Sequence, residues 1–161
     1  VSIDVGVRRA GFVGDNAATV VIEPAAEVVS RLNRVGRECL ERAVARCVPG
    51  GRLSDVGRAI QSHAEANGYR VVREYAGHGI GARMHEEPEV SNYVDADVLA
   101  RDLVLEVGMC LAIEPMLIAG EAEVRLGDDG WTVVTQDGSP SVHWEDVVAV
   151  TAEGPRVLTR R

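Results

Sequence analysis

Hydrophobic positions change their period along this chain, and the changes mark its elements. Over residues 1–7, Val1, Ile3, Val5 and Val7 alternate with Ser2, Asp4 and Gly6. A period of two predicts a strand, with Asp4 on the face opposite the valines. Beyond Pro24 the spacing lengthens to three and four. Val28, Val29, Leu32, Val35, Cys39, Leu40, Ala43, Val44 and Cys47 then form the apolar stripe of one long helix. Pro49, Gly50 and Gly51 stop it. A second helix follows, with Ser54 as N-cap, Val56, Ala59, Ile60 and Ala64 facing inward, and Gly68 ending it in a left-handed turn.

From residue 69 the pattern returns to strands. Residues 69–72 are extended, and CLAIEPML at 110–117 reads as one buried strand. Residues 123–126 and 131–135 flank Asp128, Asp129 and Gly130, which is a hairpin signal. SVHWEDVVAVT at 141–151 is the last strong strand. No repeat of solenoid period and no low-complexity segment interrupts the series. Strands at both ends with helices between predict an α+β fold with a mostly antiparallel sheet and helices on one side.

Composition narrows the class. A length of 161 residues with 46% hydrophobic content suffices for one core, so a single domain over 1–161 is expected. A net charge of −8 speaks against a nucleic-acid surface and favours cationic or peptide-like ligands. All 17 basic residues are arginine, which removes a Schiff-base lysine, a P-loop lysine and a serine/lysine dyad. Cys39, Cys47 and Cys110 form no CxxC pair and are odd in number, so a reducing cytoplasm is expected. No apolar run reaches the roughly 18 residues of a membrane span and no leader pattern opens the chain, so a soluble protein is expected. The chain starts directly on a strand pattern with valine first, as a piece cut from a longer polypeptide would.

The acids inside these strands require explanation. Asp4, Glu114 and Glu145 interrupt apolar runs, where an unpaired carboxylate costs several kcal/mol. Arginines lie on the predicted helices and loop edges, and none falls in 110–117 or 141–150. Metal ions are the alternative counter-charge. Glu114 shares a strand face with Ala112, and Glu145 shares one with His143 and Val147. With Asp15 from FVGDN and a histidine, the set becomes four carboxylates and one imidazole. Such a set can bridge two divalent ions about 3.5 to 4 Å apart, a pair suited to hydrolysis. Taken singly, each acid has an edge or surface reading that outweighs this one.

The segment YAGHGIGARMHEEPEV, residues 75–90, supplies the histidines. Gly77, Gly79 and Ala82 fit the G-x-G-x-x-A pattern of a dinucleotide-binding turn. That motif opens a helix, whereas Pro88 interrupts this segment and no helical stripe follows. The glycines equally suit a tight turn that presents His78 and His85 to a cleft. Glu86 and Glu87 read as solvated loop acids, Cys110 as a small buried hydrophobe, and His63 as a packing or surface residue without a partner. His143 is balanced between a role beside Glu145 and simple burial.

These motifs in this order, namely VSIDVG, FVGDNA, GHGIGARMHEEPEVSNY, LAIEPM, DDGWTVVTQDGSPSVHWED and GPRVLT, resemble the type I methionine aminopeptidases of the pita-bread superfamily. The resemblance runs along almost the entire chain. Prolidases and Xaa-Pro aminopeptidases share the five-ligand pattern, but LAIEPM and HEEPEVSNY are more similar to the methionine enzymes. What the resemblance implies is a curved, mainly antiparallel sheet with helices on its outer face, here incomplete. It implies that Asp4, Asp15, His78, Glu114 and Glu145 hold two divalent metal ions, cobalt, manganese, iron or zinc. Asp4, Asp15 and Glu145 are expected between or across the ions, and His78 and Glu114 on one of them. A metal-activated water attacks the first peptide carbonyl, Glu114 shuttles its proton, and His85 stabilises the substrate amide or the tetrahedral intermediate. Met84 and Trp131 border the methionine pocket.

The implied activity is removal of the initiator methionine from nascent proteins and peptides in the cytoplasm, with no nucleic acid or membrane partner. The resemblance also implies an N-terminal half before Val1, carrying another substrate-contacting histidine and part of the pocket. Without it one sheet face needs that half or another chain to cover it. Asp146 and Val147 stand where relatives often carry histidine and threonine. Three classes therefore remain: a dinuclear aminopeptidase complete with its other half, an inactive metal- or peptide-binding module of the same fold, and a nucleotide-binding domain.

Overall fold

The first hairpin is set by its turn. β1 (Ser2–Arg9) and β2 (Phe12–Thr19) pair antiparallel across Ala10 and Gly11, whose positive φ values of 50° and 88° suit the two-residue turn that follows the right-handed twist of the strands. The computed structural model describes residues 1–160. Every residue of β1 is exposed, Asp4 included, so the expectation of a carboxylate enclosed in an apolar strand fails for Asp4. Asp4 stands opposite Ala17, and Asp15 opposite Gly6. Both acids therefore lie on one face of the hairpin.

Two helices follow where the spacing predicts them. α1 (Glu27–Val44) buries Leu32, Val35, Cys39, Leu40 and Ala43, and α2 (Leu53–Ala66) buries Val56, Ile60 and Ala64. Each such side chain contributes roughly 1.5–3 kcal/mol when fully buried. The N-cap of α2 is Arg52 and not Ser54. Ser54 lies inside the helix and donates its hydroxyl to Asp102 Oδ2 and its N–H to Oδ1, both at 2.9 Å. Gly68, with φ of 82°, reverses the chain after α2 as expected. His63 is not partnerless: its Nε2 lies 2.7 Å from Glu38 Oε2 and ties α2 to α1.

Short strands β3 (Arg70–Val71), β4 (Gly77–Gly79) and β5 (Glu86–Val90) come next, then α3 (Ala96–Ala100), capped by the Asp95 side chain. The two long strands read from the sequence are each broken. One divides into β6 (Cys110–Ile113) and β7 (Met116–Ile118). Between the two long strands lies a hairpin of β8 (Val124–Leu126) and β9 (Val133–Thr135). The other long strand divides into β10 (Ser141–His143) and β11 (Asp146–Thr151), and β12 (Gly154–Val157) closes the fold.

The breaks make each strand change sheets. β7 and β10 pair in a three-stranded sheet ordered β10, β7, β3, while β6 and β11 pair in a five-stranded sheet ordered β12, β11, β6, β4, β5. Pro115, which has no N–H for a ladder, occupies the first break. Glu114 sits in that corner and Glu145 in the other. α1 packs against β6, β7 and β10 and α2 against β3 and β5, and the shared core includes Leu32, Leu40, Ile60, Leu111, Ile113, Leu117 and Val148.

Candidate metal centre

Four segments bring acidic and imidazole groups to the strand corners. β2 carries Asp15 against β11, where the Glu145 N–H donates to the Ala17 carbonyl at 2.8 Å. β4 carries His78 opposite Ala112 of β6 and Glu89 of β5. Its glycines are required by close approach: a Cβ on Gly77 or Gly79 would run into the carbonyl oxygens of Ala112 or Glu87. No helix follows Gly79. The chain passes through a loop into β5, which removes the dinucleotide reading of Gly77, Gly79 and Ala82. That loop is tied to β2 by Val13 N–H donating to the Gly81 carbonyl at 2.8 Å.

Asp15, His78 and Glu145 are all buried, and each offers a ligand atom within 4.8 Å of the others. His78 Nδ1 lies 2.9 Å from the Gly79 carbonyl. As donor there, Nδ1 leaves the Nε2 lone pair facing the acids, the arrangement that orients a histidine ligand. Glu114 Oε1 lies 3.7 Å from His78 Nε2, and Oε2 lies 3.5 Å from His143 Nε2. Asn92, fully buried, donates its amide to the Glu114 backbone carbonyl at 3.0 Å and holds that corner.

The electrostatics of the cluster call for a cation. Burial first, and then the charges of Asp15, Glu114, Asp4 and Asp146, push Glu145 up to about 9. Burial and the neighbouring Asp4 and Glu114 likewise raise Asp15, while His78 opposes them. Among the described residues no arginine pairs with Asp15, Glu114 or Glu145. An oxygen-rich set with one imidazole is a chemically fitting host for divalent metal, whose charge restores all the carboxylates to their ionised form.

The other sequence-derived positions are placed less uniformly. Asp4 lies outside the 4.8 Å group yet acts on Asp15 and Glu145 through its charge. His85 is exposed and meets His78 edge-on, with ring centroids 4.3 Å apart. Trp131, 86% exposed, borders an open trough of about 630 Å³ together with Asp4, Tyr75, Glu114, Met116 and His143. Met84 is not in that trough. It packs over Gly6, where any Cβ would strike its Cε. Met84 and Trp131 therefore do not share one pocket in this structure. Sequence reading passed over Asn16, Asn92, Thr159 and Arg160, because no apolar interruption marks them.

Comparison with known proteins identifies the family and the fold. Residues 1–152 match metallopeptidase family M24. The chain is 44% identical over 159 residues to a methionine aminopeptidase of Clostridium acetobutylicum, covering 99% of this chain and 62% of the relative. It is 44% identical over 161 residues to that of Escherichia coli, covering 100% and 60%. The solved methionine aminopeptidase of Thermotoga maritima superposes with a TM-score of 0.94 at 42% identity, over 99% of this chain and 63% of that one. The prolidase of Pyrococcus furiosus, at 24% identity and a TM-score of 0.74, shares the fold. The chain thus spans about three fifths of the length of the curated relatives it matches. With an α+β pita-bread architecture, an acid and histidine cluster at its strand corners and a match along nearly its whole length, this chain belongs to metallopeptidase family M24.

Proposed function

We propose that this chain carries the metal-binding part of a methionine aminopeptidase and serves to remove the initiator methionine from nascent proteins and peptides. The observation that carries the reading is the convergence of Asp15, His78 and Glu145 beside Glu114 with no neutralising arginine among the described residues. In this reading Asp4, Asp15, His78, Glu114 and Glu145 hold two divalent ions, cobalt, manganese, iron or zinc. Such a pair, when bound, brings the pKa of water toward neutrality and offsets charge developing on a carbonyl oxygen.

The side chains supply the rest. Glu114, between His78 and His143, takes the proton of the attacking water and passes it to the leaving amine. His85, against His78, donates toward the scissile amide. Trp131, with Tyr75 and Met116, offers the apolar wall for a thioether side chain. The substrate is a peptide N-terminus, and the compartment is the cytoplasm.

The reading includes a cover for β1. Val1, Ile3, Val5, Val7 and Phe12 are all more than half exposed along the first hairpin. A further polypeptide segment or another chain would bury this valine face, behind the face on which Asp4 and Asp15 lie. Incubation of the chain with Met-Ala-Ser, with manganese or cobalt supplied, tests the activity. Methionine release that stops in EDTA is expected. Hydrolysis of Xaa-Pro dipeptides with none of Met-Ala-Ser would overturn the assignment.

A further inference from the structure

Asp146 follows Glu145 and is 1% exposed, yet the proposed reaction does not use it. Its carboxylate is held by Asn16 of β2 and by Thr159 and Arg160, which follow β12. Oδ1 accepts from the Thr159 hydroxyl at 2.7 Å and from the Asn16 side-chain amide at 3.2 Å. Arg160 Nη2 stands 2.5 Å from Oδ2, a charge contact and not an aligned hydrogen bond. The same Asn16 amide donates to the Glu145 backbone carbonyl at 2.5 Å. Thr159 Oγ1 in turn accepts from the Val147 N–H at 3.2 Å.

The connectivity joins the two segments that bear the buried acids. Asn16 adjoins Asp15 on β2, and Asp146, the first residue of β11, follows Glu145 in the break before it, so one amide clasps the two segments together. The clasp depends on a buried carboxylate, and a buried carboxylate needs a counter-charge. Among the described residues Arg160 is the one arginine paired with Asp146.

We propose that Asn16, Asp146 and Arg160 act as positioning residues, with Arg160 supplying the charge that keeps Asp146 in place and Asp146 aligning the segments that present Asp15 and Glu145 to metal. The inference rests on the metal-centre reading above. Outer partners of metal ligands are worth roughly 10–100-fold in metal affinity. Arg160→Met is expected to weaken cobalt binding by about that factor, because it leaves Asp146 uncompensated rather than merely emptying a space.

The test is titration of the full chain with cobalt, followed by calorimetry and by visible absorption, with the melting temperature recorded for each variant. Arg160→Met is expected to bind cobalt about 10–100-fold more weakly with an altered visible spectrum. Arg160→Lys is expected to recover most of the loss. In an Asp146→Asn background, Arg160→Met is expected to cost much less than in the parent, since no charge is left to balance. Should Arg160→Met fail to fold, Asn16→Ala breaks the same clasp with the charge pair kept. Parent affinity and spectrum in Arg160→Met or, failing its folding, in Asn16→Ala would overturn the positioning role alone, even with a lowered melting temperature. A parent chain that binds no cobalt would overturn the metal-centre reading and this one together.

Discussion

His78 Nε2 lies 3.7 Å from Glu114 Oε1, with the second oxygen of that carboxylate 3.5 Å from His143 Nε2. β6 stops at Ile113 and β10 at His143, so Glu114 and Glu145 sit in the breaks between strands rather than within ladders. A carboxylate at such a corner has its backbone anchored on both sides while its side chain is free to meet ligands from β2 and β4. Among the described residues the buried His143 Nε2 has no hydrogen-bond partner, and the Glu114 carboxylate faces it. In the proposed reaction, that placement between two imidazoles is what suits Glu114 to hold and pass a proton.

Removal of either central donor should abolish metal binding and spare the fold. Glu145→Gln and His78→Ala are expected to weaken cobalt affinity by more than the roughly 10–100-fold typical of an outer partner. Circular dichroism should show the parent's secondary structure, because both residues lie at strand corners or on a short strand and not in the helix-packed core. Parent-like cobalt affinity in either variant would remove that residue from the site.

The metal-free chain should lose stability as pH rises from about 5 to 9. Glu145 is raised from an ordinary 4.5 to about 9 in the fold. Between those values the folded state holds a proton that the unfolded state has lost, so this contribution is fully present below 4.5 and vanishes as pH passes 9. In EDTA, melting should therefore occur at lower temperature at pH 8.5 than at pH 5.5. Excess manganese should narrow the difference by holding the ionised form, and Glu145→Gln should flatten it in EDTA. An equal slope in parent and Glu145→Gln would contradict the assignment.

Helix α1 presses on β10 through a glycine. A Cβ on Gly36 would lie 2.8 Å from Val142 Cγ2 and 3.1 Å from Trp144 Cδ1. Gly36→Ala gains about 0.5–1 kcal/mol of helix propensity. Overpacking against a stiff, buried valine costs about 1–3 kcal/mol, and this term should win. Urea denaturation is expected to show net destabilisation, and a stabilised variant would mean that the helix can lift from β10 freely.

Thiol reactivity should separate the three cysteines. Burial pushes Cys39 and Cys47 up to about 12, and Cys110, which is only partly buried, is raised as well. At pH 8 a disulfide reagent should find at most Cys110 in the folded chain and all three thiols in denaturant. Rapid labelling of Cys39 or Cys47 would show that the α1 core opens readily.

Much of this architecture was legible in the pattern of residues, and the exceptions have physical causes. The helix stripe from Leu32 to Ala43 and the glycine after α2 are strong periodic and backbone signals. β2 was missed because FVGDNAAT alternates poorly and is a strand only through its pairing with β1. Pro115 was the available sign that 110–117 could not be one strand, while the break before Glu145 carries no such mark. Glu114 and Glu145 stood out as acids in apolar runs. Asn16 and Arg160 did not, and Asp146 was marked only as a departure from relatives, since their meeting depends on contacts across 130 and 14 positions that no local spacing encodes. The enclosed position expected for Asp4 differs from its exposure on β1 for a related reason: what covers a strand is a property of its neighbours, not of its own sequence.

The most direct measurement is metal content. Purified chain equilibrated with manganese or cobalt, freed of unbound ion and analysed for the element, should carry two ions, and Asp15→Asn should carry fewer. A parent chain that retains no ion, or whose content is unchanged by Asp15→Asn, would contradict the dinuclear centre.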